Sequence, residues 1–84
     1  DFDPVYADGY FYRSIAKYKR GDFTGAIDDY TKAIKINPKD SDAFFNRANV
    51  KKDIGDMKGA CEDWRKAEDL GDNEAEKLLE EYCK

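Results

Sequence analysis

The chain has 84 residues, of which 40% are hydrophobic and 40% are charged, and its formal net charge is −4. A chain of this length forms one small domain, and no segment without charged residues is long enough to cross a bilayer. The negative excess lies in residues 41–84 and no basic stripe is present, so neither nucleic acid nor a membrane surface is expected as a partner.

The first two predicted helices are joined by a Gly-Asp pair. The first helix is predicted to begin near Asp3 or Asp8 and to end at Gly21, because aspartate favours helix N-caps and glycine favours the position just after a helix. Asp22 then caps a second helix that runs to about Ile36. The Asn-Pro pair that follows ends this helix, since the residue before a proline avoids the α region.

Aspartate or serine marks the start of each of the remaining three predicted helices, and glycine marks the end of the first two of them. Their predicted limits are Asp40 or Ser41 to Gly55, Asp56 to Gly71, and Asp72 to the chain end.

The sequence repeats itself at an interval of 34 residues. Without any gap, eleven of the 34 positions in residues 7–40 are identical to the positions 34 residues later. The first members of these pairs are Asp8, Phe11, Arg13, Lys17, Gly21, Asp22, Gly25, Ala26, Asp29, Lys32 and Ala33. Each unit supplies two helices, so the sequence predicts an all-α solenoid of stacked helix pairs.

Small residues beside one aromatic residue mark the packing face of the second helix in each unit. Ala26 and Ala33 lie on one face with Tyr30 between them. Ala60, Trp64 and Ala67 repeat this arrangement. Because alanine allows two helices to approach closely, this face is predicted to pack against the first helix of the same unit.

With these features, residues 10–38 resemble a tetratricopeptide repeat, a helix-turn-helix unit of 34 residues. Residues 44–72 resemble a second copy in which Asp72 replaces the closing proline. The resemblance implies an α-α superhelix of two helix-turn-helix repeats with a C-terminal capping helix. The implied limits are repeat one at residues 7–40, repeat two at residues 41–74 and the capping helix at residues 72–84.

Both copies depart from the commonest family pattern, with an arginine where many repeats carry an aliphatic residue and a lysine where an aromatic residue is usual. A half-buried arginine needs a carboxylate partner. We therefore predict that Arg13 pairs with Asp29, and Arg47 with Asp63, between the two helices of each unit.

The resemblance also implies a binding surface on the concave face, which the first helix of each unit lines. The corresponding ligand-binding residues are Phe11, Tyr12, Ile15, Lys19, Phe45, Asn46, Asn49 and Lys52, with Asp53 beside them and Glu76, Leu79, Glu80 and Cys83 added by the last helix. Phe11 and Phe45 lie about 100° around the helix from the packing residues that precede them. Apolar residues on a polar rim often mark an interaction site, although both rings are equally compatible with packing against neighbouring units.

The expected ligand carries an apolar anchor and a basic end, because the predicted surface becomes acidic toward the chain end. Some family members instead clamp the acidic tails of heat-shock chaperones. Of that clamp only Asn46 is present here. Phe11 and Ile15 replace its first-unit residues, while Glu76 and Glu80 would repel an acidic tail.

Residues that carry chemistry are sparse. The chain has no histidine, the usual general base and commonest metal ligand, and no phosphate-binding loop, so we expect no enzyme activity, no cofactor and no metal. The spacing of Cys61 and Cys83 does not suit a metal knuckle. Two free thiols in a reducing compartment, and therefore the cytoplasm, are favoured, while a disulfide is left open. Because the sequence begins at Asp1, a processed chain or an excised domain is expected.

Two hypotheses for the function follow. In the first, the chain is an adaptor or scaffold that binds another protein or a peptide on its concave face. In the second, it is a structural unit that forms a homodimer through exposed end faces. The candidate end-face residues are Phe2, Tyr6 and Tyr18 at one end and Leu78 and Leu79 at the other.

Overall fold

The computed structural model describes residues 4–83, and this part of the chain holds five α-helices and no strand. The helices are α1 (Pro4–Lys19), α2 (Phe23–Ile36), α3 (Ser41–Asp53), α4 (Met57–Asp69) and α5 (Asn73–Tyr82). Within the same residues, no helix is long and apolar enough to span a membrane. The predicted all-α class is confirmed, while the predicted cap Asp3 and the end-face residue Phe2 lie outside the described residues.

Aspartate side chains cap α2 to α5, as the sequence predicts. Asp22 and Asp56 each accept a hydrogen bond from the backbone N–H three residues later, at 3.0 and 2.9 Å. Asp40 and Asp72 accept from the second and third N–H groups after them. These caps satisfy backbone donors that have no partner within the first turn of a helix.

A glycine with a positive φ angle follows α1, α3 and α4. The φ angles are +84° at Gly21, +88° at Gly55 and +105° at Gly71. Other residues are strained in this left-handed region, so glycine allows the short turn into the next helix.

The helices stack in chain order. α1 packs on α2 to form the first hairpin, and α3 packs on α4 to form the second hairpin. The two hairpins meet where α2 packs on α3, and α5 covers α4. Each helix thus packs mainly on its neighbours in the chain, which is the arrangement of a helical solenoid. The boundaries between the repeats stay a prediction.

The predicted alanine and aromatic faces form the core, which confirms that packing prediction. Ala26, Tyr30 and Ala33 in α2 are at most 3% exposed, and Trp64 in α4 is the largest fully buried side chain. The flanking alanines of α4 are also fully buried. Aromatic rings therefore fill the space beside alanines at the centre of both hairpins.

Both predicted arginine–aspartate pairs are confirmed. Arg13 donates to Asp29 through Nε and Nη2 at 2.7 and 2.9 Å, and Arg47 donates to Asp63 in the same way at 2.7 and 2.8 Å. The two carboxylates are buried in α2 and α4. These forked contacts match the planar guanidinium to the planar carboxylate.

A lysine also reaches each buried carboxylate. The distance from Nζ to Oδ2 is 3.2 Å for Lys17 and Asp29, and 3.0 Å for Lys51 and Asp63. The two departures from the family pattern thus form one cluster, in which an arginine and a lysine share one buried aspartate. Two cations on one carboxylate offset the cost of removing that carboxylate from water.

Hydrogen bonds from Arg13 hold the pKa of Asp29 below its usual value. Burial acts in the opposite direction, and Lys17 adds to the lowering. The same hydrogen bonds raise the pKa of Arg13, so the pair stays ionised at neutral pH.

The expectation of two free thiols is wrong. Cys61 in α4 and Cys83, the residue after α5, form a disulfide with their Cα atoms 5.9 Å apart. The two cysteines meet because α5 packs against α4, and their separation of 22 residues does not show this. The thiol argument for a reducing compartment, and therefore for the cytoplasm, no longer holds.

Candidate functional site

An open cleft of about 300 Å³ lies between α1, α2 and α3. We call it the α1–α3 cleft. Its lining residues are Ile15, Tyr18, Tyr30, Asn46, Asn49 and Val50. It combines apolar and aromatic walls with two side-chain amides, a composition typical of ligand-binding clefts.

Helical spacing brings these side chains together. Ile15 and Tyr18 are three residues apart on α1, and the three α3 residues of the cleft are three and four apart, so each set lies on one helix face. Tyr30 reaches the cleft from α2 and is 3% exposed. The indole Nε1 of Trp64 donates to Oδ1 of Asn49 at 3.2 Å, which holds this amide in one orientation.

A hydrogen bond between helices lies beside the cleft. The hydroxyl of Tyr18 on α1 donates to Oδ2 of Asp53 on α3. This bond raises the pKa of Tyr18. Burial raises the pKa of Tyr30, while the side chain of Asn46 acts in the opposite direction. Both phenols therefore stay neutral at pH 7.

A second, more polar cleft of about 540 Å³ lies between the N-terminal ends of α3 and α5. We call it the α3–α5 cleft. Its lining residues are Ser41, Asp42, Phe45, Asn46, Gly71, Asp72, Asn73 and Glu74. Three carboxylates and no cation line it, so its potential is negative. Asn46 lines both clefts, which are therefore adjacent.

The structure places four of the eight predicted ligand-binding residues in these clefts. Ile15, Asn46 and Asn49 line the α1–α3 cleft, and Phe45 lines the α3–α5 cleft. Phe45 is half-buried and also packs against the core.

The other four lie around the clefts. Phe11 is half-buried and makes edge-to-face contacts with Tyr12 and Tyr30, at centroid distances of 5.4 and 5.7 Å. Tyr12 is 66% exposed, and Lys19 is also exposed. The ammonium of Lys52 lies 5.2 Å from the ring centroid of Tyr82. Both ring contacts of Phe11 lie within the first hairpin, whereas the alternative interpretation expected packing against a neighbouring unit.

The α5 residues that were expected to extend the same surface line another cleft instead. Glu76, Leu79, Glu80 and Cys83 face α4 residues across about 450 Å³. The α4 residues are Arg65, Glu68 and Asp69. This α4–α5 cleft is acidic and has no lining residue in common with the other two clefts.

The comparison with protein families matches this architecture. A family model described as TPR repeat matches residues 15–55, from the middle of α1 to the turn after α3. This match supports the assignment of the chain to the tetratricopeptide repeat family. No curated protein matches it. Repeats of this family are generally protein–protein interaction modules and are typically non-catalytic.

The sequence pattern missed three residues of the α1–α3 cleft. The pattern predicts an end-face position for Tyr18 and internal packing for Tyr30, and it gives no role to Val50. Val50 is four residues after Asn46, so helical spacing alone could have placed it on the same face. Helical spacing relates residues of one helix only, so it cannot indicate that Tyr30 on α2 lines the same cleft.

The α1–α3 cleft offers groups that can contact a ligand. Among residues 4–83, no group of three or more potential metal ligands comes together, and each buried side-chain nitrogen or oxygen has a hydrogen-bond partner. The cleft presents amides for hydrogen bonds, and aromatic edges and apolar walls for packing.

Proposed function

We propose that this tetratricopeptide-repeat chain is a non-catalytic adaptor that binds an extended peptide segment of another protein on its concave face. One observation carries the proposal: the apolar α1–α3 cleft adjoins the acidic α3–α5 cleft at Asn46. The partner segment has an apolar side chain next to a lysine or arginine.

The apolar side chain enters the α1–α3 cleft. Ile15, Val50 and the Tyr18 ring supply apolar surface, so binding removes further apolar area from water on both sides. Asn46 and Asn49 supply amides that can hydrogen-bond the peptide main chain. The apolar surface accepts an aliphatic side chain from any extended segment. The two amides fix the direction of the peptide by hydrogen-bonding its backbone.

The basic side chain lies in the α3–α5 cleft. Asp42 and Glu74 are exposed there, in the first turns of α3 and α5. The carboxylate of Asp72 also lines the cleft while it caps α5. With no cation among the lining residues, charge complementarity favours a partner with a positive charge at this point.

The site is ordered before the partner arrives. Trp64 holds the amide of Asn49, and Asp53 holds the hydroxyl of Tyr18. Side chains that are already fixed lose little conformational entropy on binding. Of the other predicted contacts, Tyr12 and Lys19 provide exposed positions on the rim.

A set of short fluorescein-labelled peptides tests the proposal by fluorescence anisotropy. Peptides with a Lys-Leu-Lys centre should bind, those with Lys-Ser-Lys should bind more weakly, and those with Glu-Leu-Glu should bind weakest. Ile15→Ala should weaken binding, whereas Ile54→Ala removes the same side chain from an exposed position outside both clefts and should not. Equal affinities for all three peptides would contradict the proposal.

A separate variant tests how far the carboxylates of the α3–α5 cleft contribute to peptide binding. The double variant Asp42→Asn/Glu74→Gln keeps the side-chain shapes and removes two charges. It should weaken the preference for lysine over glutamate, because Asp72 is the one carboxylate left in the cleft, while the Lys-Leu-Lys and Lys-Ser-Lys peptides remain distinguishable. An undiminished charge preference would place the basic side chain elsewhere.

Self-association is the second candidate function. Val5 and Tyr6 at the start of α1 are 77% and 65% exposed, and exposed apolar residues favour contacts with another surface. At the other end, Leu78 and Leu79 are half-buried and pack against the protein's own core. Molar mass measured across a dilution series separates the candidates, because a monomer at every concentration leaves only the adaptor.

A further inference from the structure

A continuous series of contacts links the Cys61–Cys83 disulfide to the α1–α3 cleft. Cys83 directly follows Tyr82, whose ring stacks on Trp64 with the centroids 5.8 Å apart. The indole N–H of Trp64 in turn donates to Asn49 in the cleft at 3.2 Å. A change in the position of the C-terminal end of α5 therefore reaches a side chain of the proposed peptide site.

α5 is a short helix whose C-terminal end the disulfide ties to α4. The helix has ten residues, and Ala75 is its only described residue that is buried. Leu78 and Leu79 are half-buried against the core, and Tyr82 stacks on Trp64. A helix this short is marginal on its own, so loss of the disulfide leaves its last turn held by noncovalent contacts alone.

Small reductants can reach the disulfide. Cys83 lines the open α4–α5 cleft together with Leu79 and Glu80. Cys61 is 9% exposed, so the bond is approached from the side of Cys83. The rate of thiol–disulfide exchange depends on this access.

We propose that the Cys61–Cys83 disulfide is a redox latch that controls the peptide site. In the oxidised chain, α5 holds Tyr82 on Trp64, and Trp64 holds Asn49. In the reduced chain, the last turn of α5 moves away, and Asn49 loses its fixed environment. The inference rests on the proposed function, because it concerns regulation of the same site.

The redox step is a two-electron exchange with a dithiol. One thiolate of the dithiol attacks a sulfur of the disulfide, the Cys61–Cys83 bond breaks, and a mixed disulfide forms. The second thiol of the reductant resolves this intermediate. Two electrons and two protons pass to the two cysteines, and the dithiol leaves as its own disulfide.

The chain contains its own reporter of this change. Trp64 is its only tryptophan, and it is fully buried in the oxidised form. Departure of Tyr82 exposes one face of the indole, so its fluorescence emission shifts to longer wavelength. Lys52 also loses the Tyr82 ring that its ammonium contacts.

The experiment compares the oxidised and the dithiothreitol-reduced chain under native conditions. Tryptophan emission and the affinity for the fluorescein-labelled Lys-Leu-Lys peptide are measured, and far-UV circular dichroism verifies that the reduced chain stays folded. Reduction should shift the emission to the red and weaken peptide binding about three- to tenfold, because an ordered site becomes partly mobile. The Cys61→Ser/Cys83→Ser variant should match the reduced chain and should not respond to dithiothreitol.

Two further variants separate the latch from a general loss of stability. Tyr82→Ala should reproduce the weaker binding while the disulfide is intact, and Tyr82→Phe should bind as the unmodified chain does. Peptide binding with the same affinity in both redox states would overturn the latch and leave the proposed function standing. If neither redox state binds the peptide, the proposed function fails and redox control of that site is overturned with it.

Discussion

The arginine–aspartate pair of the first hairpin lies near solvent, whereas the equivalent pair of the second hairpin is enclosed. The Arg13 side chain is 52% exposed and the Arg47 side chain 15%. Arg47 also donates to Thr31 on α2 at 3.0 Å, so a helix of the first hairpin covers it. The same contrast holds one turn further on, where Ala16 is exposed and Val50 is buried.

The difference shows that neighbours set the burial of a repeat position. Among the described residues, the first hairpin packs on one further helix, α3, while the second hairpin lies between α2 and α5. Residues at equivalent positions of the two hairpins, such as Arg13 and Arg47, are therefore expected to contribute differently to the free energy of unfolding, although their contacts within the hairpin are the same. In a solenoid, each unit depends on the interfaces that it forms with adjacent units.

The largest difference in unfolding free energy between the two hairpins is expected for their central aromatic residues, Trp64 and Tyr30. Trp64→Ala should lower the free energy of unfolding by about 3–5 kcal/mol, because a fully buried side chain leaves a cavity. Tyr30→Ala should cost less, since its ring borders the open α1–α3 cleft and this space is already partly accessible to water. Urea unfolding followed by circular dichroism measures both, and equal losses would contradict the proposed difference between the hairpins.

The arginines should show the next largest difference. Arg47→Ala should cost about 1–3 kcal/mol, because it removes hydrogen bonds from a buried carboxylate and leaves only Lys51 beside it. Arg13→Ala should cost less, because water reaches the exposed arginine and already weakens its ion pair. A larger loss for Arg13 than for Arg47, measured by chemical denaturation, would refute the assignment of burial to neighbouring helices.

The charge on Asp29 should make stability depend on pH. Its pKa is lower in the folded chain than in the unfolded chain, so its contribution is fully present above the unfolded value of about 4. This contribution is lost as the pH falls through the folded pKa. Unfolding free energies of the unmodified chain and of Asp29→Asn should therefore converge on acidification. A gap that stays constant at acidic pH would rule out this charge effect.

The smallest difference in stability is expected for substitutions in the first turns of α2 and α4. A Cβ atom on Gly25 or Gly59 would overlap the carboxylate of the capping Asp22 or Asp56. Loss of an aspartate cap costs about 1 kcal/mol. Gly59→Ala should cost somewhat more than Gly25→Ala, because its Cβ would also lie 3.0 Å from Cδ of Lys51. Thermal unfolding of both variants tests this order, and a stabilising effect of either alanine would contradict it.

The sequence predicts the helices and the ion pairs because local chemistry determines them. The aspartate caps of α2 to α5 lie within one residue of the helix starts that they predict, and the positive φ angles lie at the predicted terminal glycines. The Arg13–Asp29 pair was predictable because a repeat unit brings two fixed positions together. The disulfide was not, since it depends on where α5 lies against α4.

The candidate site was less accessible to sequence reasoning. The family resemblance identified Ile15, Asn46 and Asn49, which belong to the first helix of each hairpin. It did not indicate that Tyr30 reaches the cleft from α2. The Tyr30 side chain packs in the core and also lines the cleft, and the pattern predicts only the packing. Nor did it show that the α5 residues line a cleft with α4, since the tilt of a helix is set by packing and not by spacing.

The α1–α3 cleft is proposed to receive an apolar side chain of a peptide. Titration of the ¹⁵N-labelled oxidised chain with the Lys-Leu-Lys peptide, followed by NMR, tests this. The side-chain amides of Asn46 and Asn49 and the backbone amides of Ile15 and Val50 should shift together with one dissociation constant. Shifts confined to other surfaces, or no shifts at all, would contradict it.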